Sequence, residues 1–79
     1  MFDVIITSCE DLDYILEVLE EKGYLWATFR TPTSFKPMCG TTRARLCLCI
    51  NFVVKEISYY YVGSENTKKT GFNEAFDLI

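Results

Sequence analysis

Histidine is absent from this sequence. Its absence removes the commonest general base, the Ser-His and Cys-His nucleophile pairs and imidazole ligation of metals together. A glycine-rich phosphate loop is also missing, and no apolar run approaches the roughly 20 residues that a bilayer-crossing helix needs. The first residues show no basic stretch leading into a long apolar one, so no secretory signal is read and the expected location is cytoplasmic, in a host cytoplasm if the chain is viral. In that setting Cys9, Cys39, Cys47 and Cys49 are expected to stay as thiols. Proline is scarce, and both copies, Pro32 and Pro37, fall in one Thr- and Ser-containing stretch.

What is present suits a globular fold. Hydrophobic residues make up 49% of the 79 and charged residues 24%, far from the composition of disordered chains. A chain this short has room for one compact domain, residues 1–79, with a thin core. Small scaffolds of this kind gain stability from disulfides, metals or self-association, and the residues favour the last, a homodimer. The net charge of −3 hides a segregation: residues 1–23 carry seven carboxylates against Lys22 alone, whereas residues 24–69 carry seven cations against Glu56 and Glu65.

Phe2 to Thr7 is rich in β-branched residues and reads as a strand. Ser8 and Asp11 then form a helix start signal, with Glu10 and Asp11 suited to the positive end of the helix dipole. Leu12, Ile15, Leu16 and Leu19 follow the i, i+3, i+4, i+7 spacing of one buried stripe, and Gly23 supplies a left-handed stop. The helix is therefore expected over residues 9–22. Tyr24 to Arg30 alternates and reads as a second strand or extended segment, with Trp26 in the core. Residues 31–42 read as an irregular loop, long enough to suggest a functional role.

Arg43 to Ile50 alternates cleanly, with Ala44, Leu46, Leu48 and Ile50 opposing Arg43, Arg45, Cys47 and Cys49. Glu56 to Val62 does the same, with Ile57, Tyr59 and Tyr61 opposing Ser58, Tyr60 and Val62. Residues 51–55 join the two as a hairpin without the glycine of a tight turn. Residues 63–71 read as a polar loop, and Phe72, Ala75, Phe76 and Ile79 stand at helical spacing. The fold class is α+β in the order β-α-β-β-β: a small, mostly antiparallel sheet of three or four strands, one amphipathic helix on one face and a short C-terminal helix. A helix on one face leaves Cys47, Cys49, Tyr60 and Val62 exposed on the other, a surface of the kind that marks an interface.

Chemistry-bearing clusters are few. Cys47 and Cys49 lie two apart in a strand, unlike the turn-borne Cys-x(2–4)-Cys knuckles of structural zinc sites, so they read as buried thiols. The expectation is no enzyme, no catalytic residue, no cofactor and no metal. Arg30, Lys36, Arg43 and Arg45 with Tyr59, Tyr60 and Tyr61 nearby resemble the ingredients of a single-strand nucleic-acid surface, but a pI near 4.8 runs against the basic footprint of such domains. Glu10, Asp13, Glu17, Glu20 and Glu21 line about 16 Å of helix at the ~1.5 Å rise per residue, either as a solubilising face or as a mimic of a phosphate backbone.

The run from Glu10 to Trp26, ending Leu19-Glu20-Glu21-Lys22-Gly23-Tyr24-Leu25-Trp26, is followed by Pro32-Thr33-Ser34-Phe35 and two strands. It resembles small accessory proteins of bacterial viruses, whose helix ends Leu-x-x-x-Gly-Tyr-x-Trp before a hairpin. That resemblance implies a non-enzymatic protein-binding module, with inhibition of a host defence complex such as a CRISPR effector as its role. The partner is then a host protein or protein complex, or a second copy of the chain. The alternative is single-stranded nucleic-acid binding through the basic and aromatic sheet face; no membrane partner is expected. The candidate contact residues are Glu17, Glu20 and Glu21 if the helix is the working face, or Arg43, Arg45 and Tyr60 if the sheet is.

Overall fold

The computed structural model describes residues 1–41, 43–63 and 72–79. The first strand, β1 (Phe2–Ile6), buries Val4 and Ile6 and leads into helix α1 (Cys9–Glu21). Ser8 caps the helix from an extended backbone, and its Oγ accepts a hydrogen bond from the Asp11 N–H at 3.1 Å. Leu12, Ile15, Leu16 and Leu19 are the buried stripe. Each contributes about 1.5–3 kcal/mol relative to an exposed position. Beyond the cap at Lys22, the Gly23 N–H reaches Glu20 O and the Tyr24 N–H reaches Leu19 O, a paired closure that needs the left-handed backbone of Gly23 at φ +87°.

The next strand, β2, is only Leu25–Trp26. The longer strand expected over 24–30 is cut short because Phe29 takes a left-handed backbone at φ 67°, which brings Arg30 O to 2.8 Å from the Trp26 N–H. A 3-10 turn at Pro32–Ser34 follows inside the irregular segment. Strands β3 (Ala44–Asn51) and β4 (Glu56–Gly63) form the hairpin, with Asn51 paired to Glu56. Asn51 Oδ1 accepts from the N–H groups of Val53 and Val54, and Lys55 takes φ 56°, so an asparagine side chain and a left-handed lysine replace the missing glycine. Helix α2 (Phe72–Leu78) closes the described chain. The polar loop expected over 63–71 lies, beyond Gly63, outside the described residues.

The sheet runs β1-β3-β4-β2. Its first three strands are antiparallel, and β2 joins β4 in parallel through Leu25 opposite Glu56 and Trp26 opposite Ile57. Val4, Ile6, Leu46, Leu48, Ile50 and Ile57 form the sheet side of the core against α1, Tyr24, Trp26 and Ala75. Helix α2 packs beside α1, with the rings of Tyr14 and Phe76 5.2 Å apart. The architecture is thus α+β with the expected short C-terminal helix.

Two expectations are corrected. Cys9 and Cys39 are not thiols but a disulfide with Cα atoms 5.2 Å apart, because the irregular segment folds back along α1 to the helix start; Cys47 and Cys49 are not disulfide-bonded. The outer sheet face does not expose Cys47, which is fully buried, and Cys49, Tyr60 and Val62 are half-buried. Tyr60 stands opposite Cys47 and donates its hydroxyl to Asp3 Oδ2 at 2.6 Å, so its side chain crosses β3 between the two cysteines and roofs that face.

Candidate interaction surface

After β2 the chain becomes a strap, residues 27–41, running antiparallel to α1. Its start is pinned by Trp26, whose Nε1 donates to both Pro32 O and Phe35 O at 3.1 Å. One carboxylate oxygen of Glu20 accepts from the Thr33 N–H at 3.1 Å and from its hydroxyl at 2.6 Å. Further along, Lys36 Nζ meets Asp13 Oδ1 at 2.6 Å, and Cys39 bonds Cys9. Positions 9, 13 and 20 share one stripe of α1, so the helix side that the sequence presents as solvated carries the strap. Gly40 then passes so close to β3 that a Cβ there would lie 2.7 Å from Leu46 N, and its φ of +92° independently requires glycine.

Between strap and sheet lies an open groove of about 600 Å³, lined by Trp26, Ala27, Thr28, Arg30, Phe35, Ile57, Ser58 and Tyr59. Its walls are aromatic. Trp26 packs edge-on against Phe35 and Tyr59, with centroids 5.6 and 5.9 Å away, and Tyr59 continues to Tyr61 at 6.0 Å. The Tyr61 hydroxyl donates to Met38 O at 2.7 Å, tying the strap to β4. Burial raises the Tyr61 pKa above the ordinary phenol value, with the neighbouring Tyr59 adding to the shift. Tyr59 and Tyr61 are 41% and 40% exposed, and Phe29 and Met38 project from the strap at 85% and 76%. Phe35, Tyr59 and Tyr61 thus form a connected apolar surface rather than isolated exposed side chains.

The sequence-derived candidates do not converge. Glu17 and Glu21 are exposed on α1, whereas Glu20 is engaged by Thr33, which draws its pKa below the usual carboxylate value. Arg43 is exposed just before β3, and Arg45 is half-buried near its start, lining a smaller cavity of about 310 Å³ with Cys39 and Gly40. Tyr60 lies on the opposite sheet face from Tyr59 and Tyr61. Of the groove residues, Arg30 and Tyr59 enter the sequence reading only as ingredients of the nucleic-acid alternative, and Phe35 is the ring that sequence reasoning missed as a site. The available signal was an aromatic side chain in a polar loop combined with a strand that places Tyr59 on the same face as Ile57. Cys49 has its thiol pKa raised, first by burial and then by its hydrogen bond to Asp3 and that residue's charge, which makes it a poor nucleophile.

No protein-family model, curated protein or solved structure matches the chain. Among the described residues, no three potential ligands are gathered as a metal site and no helix is long and apolar enough to cross a membrane. What the geometry defines is an α+β domain with a strapped helix and an aromatic groove at one corner of its sheet.

Proposed function

We propose that the chain is a non-enzymatic protein-binding module, used against a host defence complex of the CRISPR-effector kind. The observation that carries the binding role is the connected, exposed ring system of Phe35, Tyr59 and Tyr61 at the groove. Aromatic and methionine side chains of this kind are enriched at protein interfaces and depleted elsewhere on surfaces. The likeness to viral accessory proteins over roughly residues 9–62 supports the setting. The groove replaces the acidic helix as the favoured working face, because Asp13 and Glu20 already hold the strap.

Affinity capture from a bacterial lysate with three forms of the tagged chain tests this reading. The unaltered chain and Glu17→Lys/Glu21→Lys should recover the same host protein, and Tyr59→Ser should lose it while keeping its far-ultraviolet circular dichroism. Loss by the helix variant alone would make the acidic stripe the contact face. Recovery of no protein by any form would remove the reading.

A further inference from the structure

Eight residues make up β4, yet β2 covers only its first two. The carbonyls of Lys55 and Ile57 point outward to the N–H groups of Leu25 and Ala27, at 3.0 and 2.9 Å. Alternation along a strand then turns the backbone groups of Tyr59, Tyr61 and Gly63 toward the same side. Among the described residues no strand pairs with them, since the chain leaves the sheet at Ala27 to enter the strap. Natural edges are usually blunted by charge, proline or a bulge, and Ser58-Tyr59-Tyr60-Tyr61-Val62-Gly63 has neither charge nor proline. The aromatic groove opens at this same corner. Arg30 lies in its lining and has no side-chain hydrogen bond or ion pair among the described residues.

We propose that an extended segment of a partner protein adds as a strand to the open edge of β4, where β2 stops. The segment places an apolar side chain in the groove and, two residues away on the same face, a carboxylate on Arg30. Backbone pairing supplies register, and the groove and guanidinium supply selectivity. The proposal rests on the protein-binding reading and specifies its geometry.

A display library of linear, randomised nonapeptides selected on the full chain provides the probe. Enriched peptides should carry an apolar and an acidic residue two apart, and should slow amide exchange at Tyr59, Tyr61 and Gly63 in the labelled protein. Tyr61→Pro removes an outward N–H without touching the β3 ladder, so it should bind these peptides at least about tenfold more weakly than Tyr61→Ala. Arg30→Glu should shift the selected charge from acidic to basic. The proposal is overturned by a library with no enriched peptide, or by enriched peptides that leave those three amides exchanging unchanged. Equal binding by folded Tyr61→Pro and Tyr61→Ala would also overturn it. So would a concentration-dependent dimer that protects the same amides without peptide, which would make the occupant a second copy. A host protein lost on Tyr59→Ser but leaving these amides unprotected would sink the strand-addition geometry and leave the protein-binding reading standing.

Discussion

Glu20 shows how one side chain changes role once the chain is folded. By spacing it belongs to the solvated acidic side of α1, yet both Thr33 donors converge on one of its oxygens. Hydrogen bonds to the charged form lower a carboxyl pKa, and here they outweigh the small opposing effect of desolvation. A lowered folded pKa means that the stabilisation is present above the ordinary Glu value of about 4.3 and is lost as pH falls through the folded value. The Thr33 amide resonance should therefore keep its docked position at neutral pH and move only on acidification below that ordinary value. Glu20→Gln should abolish that acid-induced movement, as followed by a two-dimensional amide spectrum across the titration. A Thr33 signal that moves near neutral pH instead would contradict the assignment.

At the scale of elements, the strap is the part of the fold the sequence conceals most. The stripe of Leu12, Ile15, Leu16 and Leu19, the Ser8 cap and the Gly23 stop are local signals, and α1 follows them closely. The alternation of β3 and β4 is equally local, and it already separates Tyr60 from Tyr59 and Tyr61. The disulfide is not local: its cysteines are 30 residues apart, and only the return of the strap along α1 brings them together. Likewise, the short β2 depends on a left-handed Phe29 that no propensity favours. A cross-link closing a loop of this size constrains the unfolded chain by about 3–4 kcal/mol in the chain-entropy account. Cys39→Ser should accordingly lower the unfolding free energy in a urea titration by about 2–4 kcal/mol. The Trp26, Glu20 and Asp13 ties should keep the strap docked, so the groove amides should retain their chemical shifts.

For the whole molecule, charge and side-chain placement bear on the nucleic-acid alternative together. The net charge is −3, and the tyrosines that would make a stacking platform are divided between opposite faces, with Tyr60 bound to Asp3. Single-strand binders combine a basic track with rings on one face, and this domain divides those ingredients. Titration with a fluorescent oligothymidine at low salt should therefore give a flat signal. Saturable binding that weakens steeply with added salt would revive the alternative. The sheet order was beyond the reach of sequence reasoning, because parallel pairing of β2 with β4 depends on how α1 carries the chain across the sheet. The groove shared that obscurity, being assembled from β2, the strap and β4.

Met38 contributes to the fold through its backbone: its carbonyl receives the Tyr61 hydroxyl, while its side chain projects outward. Every amino acid carries that carbonyl, so replacement of the thioether leaves the anchoring bond available. The exposed surface of the strap beside Tyr61 can thus be retargeted by exchange at this one position, leaving the hydrophobic interior untouched.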